Sequence, residues 1–246
     1  MSSRGGNCLT RNEWICGRYV STRSDEILDA LREHVDLTVT SVALGVVVAV
    51  PLVLAARRWR PAVSLIGGAT SILYTIPSLA FFALLLPLSG LSTTTVRTGL
   101  VVYTLVILFR GFLAGLDGVS PDVLESARGM GYGPTRILLT VELPLALPAI
   151  IAALRVATVS TVALVTVGAT IGHGGLGNLI YEGLGSTFKA EVFTASVLCL
   201  ALAVVADLLL LGLERLATPW RRRQGRARPR RASAAGAATP TAGAAS

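Results

Sequence analysis

Five apolar stretches of membrane-crossing length, at residues 37–56, 62–88, 98–116, 145–171 and 192–213, constrain this chain more than any other feature. A helix needs about 20 consecutive apolar residues to cross a bilayer core. In lipid every backbone N–H and C=O must be satisfied internally, which a helix does within its own segment. Composition agrees. Of 246 residues 52% are hydrophobic and 15% charged, with a mean hydropathy of +0.67. An ordinary soluble domain is about 25% charged, and its surface needs a polar skin that this chain lacks. The expected fold class is all-α: a polytopic membrane helical bundle of about five transmembrane helices.

Charge suggests the orientation. The formal net charge is +8, and the excess sits in Arg clusters beside the apolar stretches. Arg57, Arg58 and Arg60 follow the first stretch, together with the interfacial Trp59. Arg221, Arg222, Arg223, Arg226, Arg228, Arg230 and Arg231 crowd the tail. Placing that tail inside also puts the Arg57–Arg60 loop and the polar 118–142 loop inside, leaving Arg97 and Lys189 as the main positive charges on short external loops. The N-terminus is then outside and the C-terminus cytoplasmic. Residues 1–35 form an extracytoplasmic segment, and residues 218–246 a basic, disordered cytoplasmic tail that cannot build a core. The tail is read as a simple cytoplasmic anchor, ahead of a contact with anionic lipid or nucleic acid.

Residues 1–23 contain no continuous apolar segment, so no cleavable signal peptide is expected. Ser24 caps a short helix in which Ile27, Leu28, Leu31 and Val35 share one face. This amphipathic helix lies along the membrane surface or packs on the protein itself. Cys8 and Cys16 either form a disulfide outside the cell or stay free in a tail. Cys199 is the remaining cysteine, and neither the cysteines nor His34 and His173 show metal-ligand spacing.

Within the second stretch Pro77 frees a backbone carbonyl, so a kink is expected near Tyr74, Thr75, Pro77 and Ser78. These four are the candidate solute path, with polar packing as the alternative. The fourth stretch holds Thr158, Ser160, Thr161, Thr166 and Thr170, again read as helix packing or as a path. Arg155 in that stretch and Asp207 in the fifth each need a partner or an interfacial depth, because an arginine at the bilayer centre costs about 2.5–3.5 kcal/mol.

Gly172, Gly174 and Gly177 match a dinucleotide pattern, but no strand precedes them. With Gly175 they are read instead as a tight, partly re-entrant external turn. There is no phosphate-binding P-loop, no nucleophile elbow and no zinc motif. The chain is therefore expected to be no enzyme, to carry no cofactor, and to rely on a partner for any use of ATP.

Residues 122–148 are the one long polar interruption. Ser120 and Pro121 suit the cap and first position of a helix, with Asp122 and Glu125 in its first turn. Val123, Leu124 and Ala127 give it an apolar side. Gly129 and Gly131 stop it, Pro134 starts another, and Pro144 and Pro148 mark the start of the fourth span. Connections between bundled helices usually take about two to eight residues. One this long, with its own helix, suggests a docking task.

Glu125, Ser126 and Ala127, then Gly131, then Val141, Leu143 and Pro144 resemble the EAA motif of bacterial ATP-binding-cassette importer permeases. The family pattern has Ala at Ser126 and Ile at Val141. Residues 74–90, 115–131, 143–158 and 171–184 look like the permeases of glycine betaine, carnitine and choline osmoprotectant importers. Tyr74 departs from that pattern, standing where many relatives carry Gln. The resemblance implies a permease transmembrane domain over residues 36–217, with a coupling helix at about 120–131. It further implies a place in the bacterial cytoplasmic membrane. The implied partners are cytoplasmic ATPase subunits, an external solute-binding protein and a second permease subunit, homo- or heterodimeric. Solute would be a small osmoprotectant moved by alternating access. The alternatives are a permease for methionine or another amino acid, and, in a different class, a membrane scaffold or intramembrane enzyme without ATPase coupling.

Overall fold

A computed structural model describes residues 8–220; of the tail expected to be disordered over 218–246, residues 221–246 lie outside the described residues, whereas Thr218 is buried and caps the last helix. The helices run in the order α1 (Gly17–Thr22), α2 (Ser24–Arg58), α3 (Arg60–Thr75), α4 (Ser78–Ser89), α5 (Thr93–Asp117), α6 (Pro121–Gly129), α7 (Pro134–Ile137), α8 (Leu143–Val165), α9 (Leu176–Gly185) and α10 (Lys189–Ala217). A π turn at Leu138–Glu142 joins α7 to α8, and a 3-10 turn at Thr166–Ile171 continues α8. There is no strand among the described residues.

The helices α2, α5, α10 and the run Pro134–Ile171 are each long and apolar enough to cross a membrane. The second expected span is broken: α3 and α4 meet at a bend of 99°. Ile76 and Pro77, at the break, both have extended backbone, as a residue before proline favours.

Two ion pairs fix the course of the chain. Arg97, near the start of α5, pairs with Asp36 of α2. Arg57, at the far end of α2, lies 3.9 Å from Asp117 at the far end of α5. Helices α2 and α5 are therefore parallel, and the bent α3–α4 pair has to traverse the bundle between them. The chain then turns back through α8, which starts beside Arg57 and ends where the Val162 carbonyl meets His34 Nε2 at 3.1 Å. Finally α10 starts near Glu26 and brings Asp207 down to Arg155. This makes five crossings, with the N-terminal segment and the end of α10 at opposite ends of the bundle.

The core is built around α5. Leu108, Phe109 and Phe112 are buried with Ala49 and Val53 of α2 and with Ala146 and Ala157 of α8. A Cβ at Gly111 would lie 2.2 Å from the Ala153 side chain, so α5 and α8 meet at backbone distance, which small residues permit. The buried Thr104 and Thr161 hydroxyls bond across the same contact at 2.9 Å. Thr158, Thr166 and Thr170 instead bond carbonyls of their own turns at 2.8, 2.7 and 2.8 Å. For Thr161 the packing role is thus visible.

Several local expectations need correction. Ser24 is the first residue of α2 and Arg23 occupies the cap position, so the amphipathic segment is no separate surface helix. It forms the first turns of a 35-residue helix. Ile27 is buried in a cluster with Cys16, Tyr19, Leu176, Leu179, Ala190 and Ala195, while Leu28 and Val35 remain exposed. The connection between the second and third stretches is short, because Ser92 caps α5 by accepting from the Thr95 amide at 3.3 Å. Arg97 thus sits within a helix. The glycine-rich segment contains α9, where packing overrides poor helix propensity.

The N-terminal segment is tied down. Cys8 and Cys16 form a disulfide. Between them Asn12 donates its side-chain amide to the Thr187 carbonyl and accepts from the Lys189 amide, both at 2.8 Å.

Candidate functional site

The polar interruption folds as a jointed arm. Pro121 takes an early position of α6, where a missing amide costs nothing. Ser120 is at the cap position, but its side chain makes no cap bond. Ala127 is buried, and Leu124 packs against the α2–α5–α8 core. Val123, expected on the same apolar side, is exposed and lines a 700 Å³ groove with Leu145, Pro148 and Trp220. Glu125 and Ser126 are exposed, so α6 turns a polar face outward.

Of the two glycines, Gly131 ends the helix and Gly129 is its last helical residue. The Tyr132 amide bonds the Ala127 carbonyl at 3.2 Å and the Gly131 amide bonds the Arg128 carbonyl at 2.9 Å. This is the Schellman arrangement, with Gly131 at φ +81° in the left-handed region that a side chain disfavours. The Arg136 guanidinium then stacks 4.1 Å over the Tyr132 ring, bracing the joint between α6 and α7.

Val141 lies in the π turn, and Leu143 and Pro144 open α8. In an α-helix the Pro144 ring would clash with the carbonyl four residues back. The π turn relieves this, since the Leu143 amide reaches back five residues to Leu138. The same turn holds Glu142, a buried carboxylate that sequence reading passed over. Arg57, read only as a marker of membrane side, donates to it. With Asp117 at 3.9 Å from Arg57, the guanidinium fastens the end of α2 to the end of α5 and to the root of α8. The arm is thereby hinged on three crossing helices.

At the α3–α4 break Tyr74 is exposed, and the Thr75 hydroxyl bonds the Ile72 carbonyl at 2.7 Å. The Ile76 carbonyl, which the break between α3 and α4 leaves without a helical donor, is taken by the Tyr103 hydroxyl from α5. Tyr103 also makes edge-to-face contacts with Tyr74 at 6.0 Å and Phe81 at 5.7 Å between ring centroids. Tyr103 therefore belongs with this group. The only signal in the sequence was a lone tyrosine inside an apolar span.

The intramembrane charges find each other. Arg155 donates to both oxygens of Asp207, at 2.9 and 2.8 Å, and lies 3.6 Å from Glu214. The pair borders a 620 Å³ groove with Val156, Ser160, Leu200 and Val204.

At the opposite end from the arm, the glycine turn is packed backbone to backbone. A Cβ on Gly174 would sit 2.4 Å from the Ala169 amide, on Gly175 2.6 Å from the His34 amide, and on Gly177 2.5 Å from Thr166 Cα. Gly172 makes no such contact and instead supplies the left-handed residue after the 3-10 turn. Gly174, Gly175 and Gly177 serve close backbone packing, and no strand precedes the turn among the described residues.

Five crossings, a long arm rooted on three of them, and charged groups paired inside the bundle define a transport permease of the membrane-embedded kind. The chain belongs to the family of binding-protein-dependent transport system inner membrane components, whose model matches residues 41–223. It is 35% identical over 202 residues to the choline transport system permease protein OpuBB of Bacillus subtilis, covering 82% of this chain and 93% of that one. It is 33% identical over 201 residues to the glycine betaine/carnitine/choline transport system permease protein OpuCB of the same organism, with 82% and 93% covered. The osmoprotectant import permease protein OsmW of Salmonella typhimurium is 34% identical over 193 residues, with 76% and 89% covered. Among solved structures, an inward-facing form of the MetNI methionine transporter superimposes with a TM-score of 0.71 at 20% identity, covering 80% of this chain and 98% of that one. An amino acid transporter with histidines gives a TM-score of 0.70 at 18% identity, with 80% and 97% covered. These two show the shared fold. The chain is thus a membrane permease subunit of an ATP-binding-cassette importer, and the scaffold alternative falls with the family match.

Proposed function

We propose that this permease moves a small quaternary ammonium osmoprotectant, of the choline, glycine betaine or carnitine type, into the cell. The observation that carries the coupling to a partner ATPase is the arm: α6 presents Glu125 and Ser126 on an exposed face while Arg57 and Glu142 root it in the bundle. Separate cytoplasmic ATPase subunits dock on that face, and their closure displaces the arm as a rigid body. Two packings of the bundle then alternate, one open to each side. An external solute-binding protein delivers the solute at the opposite end, and a second permease subunit completes the pathway.

The arm end is the cytoplasmic end. Arg57, Arg58, Arg128, Arg136 and Arg215 gather there, while the Cys8–Cys16 disulfide suits an oxidising exterior. The solute passes the α3–α4 break, where Tyr74, Phe81 and Tyr103 cluster. Aromatic faces attract quaternary ammonium groups by about 0.5–2 kcal/mol each, enough for a weak passing site. The printed names of the relatives support the solute class, since three systems at 33–35% identity handle choline, glycine betaine, carnitine or osmoprotectants.

The test is uptake of labelled choline, glycine betaine and methionine in a strain lacking this chain, with and without the gene restored. Choline or glycine betaine uptake should depend on the chain while methionine uptake does not. Dependence confined to methionine would move the assignment to an amino acid permease.

A further inference from the structure

At the end of the bundle that carries the disulfide-closed loop, three carboxylates from three helices converge. Glu26 in the first turn of α2, Glu182 on α9 and Glu191 in the first turn of α10 each place an oxygen within 4.8 Å of the others. Like charges at such spacing oppose one another's ionisation. Arg23 offsets one of them, donating to both oxygens of Glu26 at 2.9 and 3.2 Å. Fully ionised, the cluster keeps two negative charges that Arg23 does not offset. Glu191 is only 6% exposed, so its charge is not left to water.

A second observation points into the same cluster. Tyr19 is 1% exposed, and its buried hydroxyl faces the Glu191 carboxylate without making a hydrogen bond of ordinary geometry. That hydroxyl lies in the field of Glu191 and Glu26. The ring is held by edge-to-face packing on Phe188 at 5.3 Å, in the cluster that includes Cys16. A buried hydroxyl held out of good hydrogen-bond geometry costs about 1–3 kcal/mol, and a cation among the carboxylates would take its oxygen as a ligand while its proton turns to Glu191.

We propose that Glu26, Glu182, Glu191 and the Tyr19 hydroxyl bind a hard divalent cation, calcium or magnesium. All donors are oxygen, with no imidazole or thiolate, which is the chemistry these ions take and softer metals do not. One divalent ion neutralises the two charges that Arg23 leaves. It ties α2, α9 and α10 together beside the turn that Asn12 already clasps, and this does not depend on which solute the permease carries.

The test uses the full chain in lipid nanodiscs, unfolded by heat in EDTA and then in rising calcium chloride or magnesium chloride. A saturable rise in Tm of about 2–4 °C is expected, with half-saturation at about 0.1–1 mM as in other weak external sites. The exposed Glu182→Gln should abolish the rise and, by removing one of the mutually repelling charges, leave the metal-free midpoint no lower than that of the unaltered chain. As a readout independent of any variant's folding, terbium added to the unaltered chain should emit on tyrosine excitation and lose that emission to excess calcium. A flat Tm with both cations, a rise retained in Glu182→Gln, or no calcium-sensitive terbium emission overturns the site.

Discussion

Arg57 at the end of α2 donates to Glu142 in the π turn before α8, and this link joins the polar arm to the helices that cross the membrane. Glu142 has 9% side-chain exposure and Arg57 25%, so neither is readily served by water. Arg57→Met strands a buried carboxylate, which costs about 3 kcal/mol, the lower end for a buried pair because Arg57 keeps some solvent. Thermal unfolding in detergent should show the loss. The double variant Arg57→Met with Glu142→Leu should recover most of the stability without recovering transport, since the arm is then unfastened. Equal stability of the single and double variants would contradict the pairing.

Gly129 and Gly131 make a paired test of the arm's joint. Gly131 holds a left-handed backbone with open space around it, so Gly131→Ala costs about 1–2 kcal/mol through the backbone alone. Gly129 is helical and equally unobstructed, so Gly129→Ala should be neutral or stabilising by up to about 1 kcal/mol. Transport in reconstituted vesicles should fall for the first and not for the second. The reverse order would show that the helix ends elsewhere.

The Arg155–Asp207 pair is read by a double-mutant cycle. Asp207→Leu leaves an arginine in an apolar groove with, among the described residues, only Glu214 as an acidic neighbour, at 3.6 Å. Yield of folded protein should drop more for Asp207→Leu than for the double variant Arg155→Leu with Asp207→Leu. Additive losses would mean that the two side chains act separately.

Tyr103→Phe removes the hydroxyl that serves the Ile76 carbonyl at the break. The carbonyl is only part-buried, so leaving it unserved costs about 1 kcal/mol, the lower end for such a group. With the aromatic cluster kept, uptake should show a raised KM and a lower Tm. Unchanged values for both would separate the bend from this hydroxyl.

Particular residues show how much the sequence revealed. The five spans were legible because each is a long apolar run, and α6 was legible from Pro121 and the spacing of polar and apolar positions. Pro77 marked the break but not its angle, since a proline sets one φ and the 99° bend depends on what packs against it. Arg155 and Asp207 each announced the need for a partner, yet nothing local says that residues 52 apart meet. Glu142 stood inside the recognised motif and was passed over, because its importance lies in Arg57, 85 residues away. The helix α9 was hidden by its glycines. Its stability comes from contacts such as Gly183 against Val192, where a Cβ would lie at 2.7 Å.

The central claim is that α6 receives the motion of an ATPase partner through its exposed face. The complete complex, reconstituted in vesicles with the solute-binding protein, allows it to be measured as ATP-driven uptake of labelled choline or glycine betaine, with ATPase co-purification scored in parallel. Glu125→Arg places a cation on the exposed face of α6 without touching the buried Ala127 or the Arg57–Glu142 link. The account predicts that this variant inserts normally, loses the ATPase subunit on purification and takes up solute at background rate. Full ATPase retention with unchanged uptake would contradict it.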